Sequence, residues 1–250
     1  MLMLMMMTRI GVLIVTVLAA STAAAEKTVK RTFTSGGRSR TCYVFVPDKA
    51  TPQTPAPLLV LLHGSGRNGL SLVERWDGLA KKEGLILAGP DSTNPAQWRT
   101  LEDGPELIRD LVDTLRATLP IDPHRIYLFG HSAGAIHSIG LSLLESEYFA
   151  ATAVHAGALP EEEYVWAAAA NRKIPIAIWV GTDDALFPLR AVRATRDFLN
   201  KQGFGVELTE IKGHTHNYYL RADDINKSVW QFLQQHRLEG DPKYQPHQFR

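Results

Sequence analysis

The chain has 250 residues, enough for one domain with a sizeable core, and an ordinary globular composition of 45% hydrophobic and 21% charged residues. A formal charge of +1 gives no electrostatic reason to expect nucleic acid, an anionic membrane surface or a highly charged polymer as partner. The single cysteine, Cys42, excludes an intramolecular disulfide and lies in the apolar run Cys42-Tyr43-Val44-Phe45-Val46, where it reads as a buried strand thiol.

At the N-terminus Arg9 closes a short n-region, Ile10 to Ala20 form an apolar stretch, and Ala23-Ala24-Ala25 offers an A-x-A site. Residues 1–25 therefore read as a signal peptide cleaved before Glu26, giving a secreted or periplasmic protein. The apolar stretch falls short of the roughly 20 residues that span a bilayer, so no stable membrane insertion is expected after cleavage. No repeat or linker divides residues 26–238, which read as one domain. Residues 239–250 are polar and proline-containing and read as a loosely ordered tail.

Along that domain, short apolar runs alternate with helical spacing, the pattern of a mainly parallel sheet covered by helices on both faces. The expected strands are Thr41–Val46, Leu58–Leu62, Leu85–Ala88, Ile126–Phe129, Ala151–His155, Ile176–Val180 and Val206–Ile211. The expected helices are Leu70–Lys82, Pro105–Leu119, Ala133–Leu144, Leu189–Lys201 and Ala222–His236. Residues 159–174 leave space only for a short connection, so no large cap domain is expected and the site should be open.

Gly130-His131-Ser132-Ala133-Gly134 follows one expected strand and opens a helix. A nucleophile held on so sharp a turn needs glycine two residues before and two after it, where side chains would strike neighbouring strands. The turn lifts the Ser132 hydroxyl above the sheet and aims the first helical N–H groups at the oxygen that becomes negative during attack. A hydroxyl needs a base and an orienting acid, which this fold supplies in the chain order Ser, acid, His. Gly181-Thr182-Asp183-Asp184-Ala185-Leu186-Phe187-Pro188 follows a strand and offers two carboxylates. Asp184 suits a tight loop turning back toward the site, with Asp183 as the alternative or a turn residue. Gly213-His214-Thr215-His216-Asn217-Tyr218-Tyr219 offers two imidazoles; His216 is favoured, with His214 as alternative or as a supporting or surface histidine. The H-x-H pair lacks a third ligand at telling spacing, so no metal is expected. The turn His63-Gly64-Ser65-Gly66 makes the Ser65 N–H the second oxyanion donor beside that of Ala133, and makes His63 a structural, loop-bonding residue.

Together with Tyr43-Val44-Phe45-Val46-Pro47 and Asp122-Pro123-His124-Arg125-Ile126-Tyr127, these motifs resemble the α/β-hydrolase carboxylesterases. The nearer likeness is to the secreted polyhydroxybutyrate depolymerase-like and feruloyl-esterase-like group, over roughly Arg40 to Leu233. His216-Asn217-Tyr218-Tyr219 is also similar to the histidine segment of the esterase D type. The resemblance implies a catalytic domain with a Ser132–Asp184–His216 triad, no cofactor, and a small or oligomeric ester as substrate. The chain departs from the group in carrying Ser65 where relatives often have cysteine, and in lacking paired cysteines. Trp98 and Tyr218 are expected as walls of the substrate site. A peptidase or thioesterase would use the same triad; a non-catalytic binding protein on this scaffold would have no need of the full set of Ser, Asp and His.

Overall fold

The computed structural model describes residues 26–247; the expected signal peptide and residues 248–250 lie outside them. Eight strands form one sheet: β1 (Val29–Ser35), β2 (Arg38–Phe45), β3 (Ala56–Leu62), β4 (Ile86–Pro90), β5 (Ile121–His131), β6 (Ala151–His155), β7 (Ile176–Gly181) and β8 (Val206–Ile211). Their order is β1-β2-β4-β3-β5-β6-β7-β8. β2 runs antiparallel to both β1 and β4, and every other pairing is parallel. The chain has the α/β-hydrolase fold.

Every residue of β3 is buried, which explains its continuous apolar run: a parallel strand covered on both faces has no solvent side to mark with polar residues. Its side chains alternate between two cores. Leu58, Val60 and Leu62 pack with α3 (Pro105–Arg116), α4 (Ala133–Leu144) and α6 (Leu189–Lys201) on one face. Leu59 and Leu61 pack on the other with Trp76 of α1 (Leu70–Glu83) and Val229 of α7 (Ala222–Leu233). Two short helices, α2 (Thr100–Asp103) and α5 (Tyr164–Ala169), complete the set, and α5 with a single preceding 3-10 turn is all that lies between β6 and β7. Among the described residues no helix is long and apolar enough to cross a membrane.

Strand β1 was not foreseen. Only Phe33 and Ser35 of it are buried, and of these only Phe33 is apolar, so this edge strand shows little apolar alternation in sequence. The legible signal is the turn after it: Gly36 and Gly37 have φ of 54° and 71°, the paired positive values of a two-residue hairpin. Cys42 is buried as expected, and burial pushes its thiol up to about 11, so it is held as an unreactive thiol.

The segment 239–247 has no regular secondary structure, yet it is held by specific contacts rather than loose. The Lys243 ammonium pairs with Glu147 at 3.0 Å, and Tyr244 packs against the core under the Arg109 guanidinium. Buried Glu145 accepts from the Gln245 amide and lies 2.8 Å from His247 Nε2. Burial lifts the Glu145 carboxyl from 4.5 to about 7. Between those values the folded chain keeps a proton that the unfolded chain releases, so stability falls as pH rises through this interval and is level above it. Glu145→Gln should abolish that dependence. Measured by urea unfolding, the variant gains on wild type by on the order of 2–3 kcal/mol between pH 5 and pH 8; an equal difference at both pH values contradicts the assignment.

Candidate active site

Ser132 stands between the end of β5 and the start of α4 with φ 58° and ψ −119°, a backbone conformation that costs a side-chain-bearing residue on the order of 1–3 kcal/mol. The surroundings enforce it. The Ser132 amide donates to His155 O at 3.0 Å, tying the turn to β6. A Cβ at Gly130 would come within 2.1 Å of Gly134 O, and one at Gly134 within 1.9 Å of Leu62 O. Both glycines are therefore demanded by backbone packing, which is what the motif encodes.

The acid and base loops leave the C-terminal ends of β7 and β8, beside the end of β5, where open α/β sheets gather their functional residues. They approach so closely that a Cβ at Gly181 would meet His214 O at 1.9 Å. His216 spans the gap: its Nε2 is 2.9 Å from Ser132 Oγ and its Nδ1 is 2.9 Å from Asp184 Oδ2. The other Asp184 oxygen accepts the Leu186 and Phe187 amides at 2.9 and 2.8 Å, and the Phe187 ring stacks on His216. Asp183 instead points into solvent, accepting from the Thr182 hydroxyl. His214 is no surface residue; it is buried behind the site, with Nε2 3.1 Å from His155 Nε2.

Neither the Ser65 nor the Ala133 amide donates to a protein backbone acceptor among the described residues; Ser65 lines the same cleft as Ser132, and Ala133 follows Ser132 as the first residue of α4. The turn that carries Ser65 is braced by His63, whose Nδ1 meets Gly64 O and whose Nε2 accepts from the Ser92 amide. Burial lowers the His63 pKa and keeps this ring neutral.

The cleft over Ser132 has a volume of about 600 Å³ and is lined by Gly64, Ser65, Arg67, His131, Asp183, Ala185, Leu186, Thr215, His216, Asn217 and Tyr219. Both aromatic walls expected from the sequence need correction. Tyr218 is fully buried, its hydroxyl bonded to Asn226, because the 3-10 turn Tyr218–Leu220 rotates it into the core. Its neighbour Tyr219 faces the cleft instead, beneath the Arg67 guanidinium at 4.9 Å. Trp98 is not a wall of the cleft either. It donates its indole N–H to His63 O and stacks on His137, bracing the Ser65 turn from outside. Arg67, His131 and Tyr219 were missed; only the Gly-rich and Tyr-Tyr turns around them were visible.

A model of the phospholipase/carboxylesterase family matches residues 91–236. Among curated proteins, the chain is 30% identical over 128 residues to the NocK esterase of Nocardia uniformis subsp. tsuyamanensis, covering 44% of this chain and 37% of that protein. It is 28% identical over 153 residues to a bifunctional acetylxylan esterase/xylanase, XynS20E, of Neocallimastix patriciarum, covering 59% of this chain and 22% of the relative. The chain thus spans well under half the length of these curated relatives. A solved CE1 ferulic acid esterase from Anaeromyces mucronatus superposes with a TM-score of 0.68 at 19% identity, over 84% of this chain and 90% of that one, a likeness of fold. More than half of the chain falls within the family match, and the chain belongs to the phospholipase/carboxylesterase family of α/β-hydrolases.

Proposed function

We propose that the chain is a serine carboxylesterase working through Ser132, His216 and Asp184. The observation that supports this reading most is the His216 imidazole, hydrogen-bonded at 2.9 Å to the Ser132 hydroxyl on one side and the Asp184 carboxylate on the other. Asp184 holds the proton of His216 on Nδ1, so Nε2 is bare and takes the serine proton as Oγ attacks the ester carbonyl. The Ser65 and Ala133 amides receive the oxyanion, each worth roughly 3–4 kcal/mol of transition-state stabilisation. The imidazolium then protonates the leaving alcohol. Water releases the acyl group by the same route, with no cofactor. The N-terminal sequence supports the further proposal that the enzyme acts after export.

Among the described residues that line the cleft, Ala185 and Leu186 are the aliphatic side chains. Two small-to-medium aliphatic side chains on one loop give an acyl chain limited apolar surface to lie on. In a p-nitrophenyl ester series, kcat/KM is expected to be highest for acetate to butyrate and to fall by decanoate. A rise toward decanoate would contradict this picture of the acyl site, and no hydrolysis of any member by folded protein would contradict the esterase reading.

A further inference from the structure

His131, His155 and His214 form a hydrogen-bonded row behind Ser132, which the esterase mechanism does not use. His131 Nδ1 is 3.1 Å from His155 Nδ1, and His155 Nε2 is 3.1 Å from His214 Nε2. All three rings are buried. Burial drives His131 down to about 3 and His155 down to about 2, and lowers His214 as well. Each ring is therefore neutral near neutral pH, with one N–H and one lone pair. Every contact in the row needs one donor and one acceptor, so choosing one tautomer chooses all three.

The backbone makes that choice. His155 O lies 3.4 Å from His131 Nδ1, and a carbonyl oxygen only accepts. His131 thus carries its proton on Nδ1 and shares it between the carbonyl and His155 Nδ1. His155 then carries its proton on Nε2 and donates to His214 Nε2. The opposite wiring would set the Nδ1 lone pair of His131 against the carbonyl.

This leaves Nε2 of His131 as a bare acceptor. Among the described residues no donor of the protein reaches it, and His131 is one of the residues that line the cleft. The adjoining ring atom Cδ2 would lie 3.2 Å from a Cβ at Gly64, and Ser132 Cβ 3.3 Å from it, so the glycine keeps open the corner between this edge and the nucleophile. The ring cannot turn away easily: it stacks on buried Tyr218 with centroids 5.3 Å apart. The His131 ring centroid is 5.0 Å from that of His216, the residue that would protonate the leaving alcohol.

We propose that His131 Nε2 is a specificity-determining acceptor for a hydroxyl on the leaving alcohol, with His155 and His214 positioning its tautomer. The preferred esters then carry a free hydroxyl next to the ester oxygen. This proposal rests on the esterase reading above.

Two measurements test it. In wild-type protein with ¹⁵N-labelled histidine, nitrogen NMR should show His131 protonated on Nδ1 and bare on Nε2; a proton on Nε2 overturns the proposal. This readout needs no turnover. In kinetics, 2-hydroxyethyl butyrate and n-propyl butyrate differ by little more than a hydroxyl for a methyl. Normalised to their alkaline hydrolysis rates, wild type should favour the hydroxyethyl ester in kcat/KM by on the order of tenfold, the worth of one hydrogen bond, and His131→Phe should bring the ratio near one. No preference in wild type, or one that survives His131→Phe, overturns the proposal. Failure of folded wild type to hydrolyse either ester would sink the underlying esterase reading, and the specificity role with it, whatever the tautomer.

Discussion

Ser132→Ala is expected to lower kcat on p-nitrophenyl acetate by about 10⁴- to 10⁶-fold, the range seen when the nucleophile of such a triad is removed. The fold should be indifferent to the change. Among the described residues the Ser132 hydroxyl bonds only to His216, while the turn is held by the Ser132 amide and the two glycines, none of which the variant alters. Circular dichroism and the unfolding midpoint should therefore match wild type. Loss of less than about tenfold in a folded variant would remove Ser132 from the chemistry.

Asp184→Asn is expected to cost about 10⁴-fold in kcat, for a reason that the local hydrogen bonds supply. Oδ1 of Asp184 accepts two backbone amides, from Leu186 and Phe187, so the oxygen of an asparagine stays on that side. Its NH₂ group then faces His216 Nδ1 and donates to it. That forces the His216 proton onto Nε2, the wrong nitrogen for a base that must take the proton of Ser132. Asp183→Asn is the control. This exposed carboxylate on the cleft rim accepts from the Thr182 hydroxyl and from no other described residue, and its loss should cost less than tenfold. A reversal of the two effects, read as kcat on the same ester, would reassign the acid.

Much of this arrangement was legible because backbone packing writes itself into composition. Ala151–His155 and Ala133–Leu144 coincide in sequence reading and structure, since the one is a fully buried strand and the other begins at a turn that only glycines can flank. The order of the proposed Ser132, Asp184 and His216 could be read in part for the same reason: the first two follow buried apolar strands, while His216 follows the half-exposed last strand, all at the same end of the sheet. What escaped depends on rotation and distant partners. Whether Tyr218 or Tyr219 faces the cleft is decided by a single 3-10 turn, and adjacent aromatics carry no mark of it. Trp98 is placed by the Asp103 carboxylate, which accepts from the Thr93 and Arg99 amides on either side and pairs with Arg40 from β2. The tail is held by Glu145, about a hundred residues away in the chain. His131 and His155 end two strands and His214 lies in the loop after a third, so their row exists only once the sheet is assembled.

The most direct test of the proposed site is covalent. A fluorophosphonate reacts with a serine hydroxyl only when a base activates it and an oxyanion site receives the phosphoryl oxygen, so it reads the whole arrangement at once. Incubated with such a probe and examined by intact mass and peptide mapping, folded wild-type protein is predicted to take up one adduct, on Ser132. Ser132→Ala should take up none, and His216→Ala should react far more slowly. A folded wild-type protein that stays unlabelled, or that carries the adduct on a different residue, would contradict the assignment of Ser132 as an activated nucleophile.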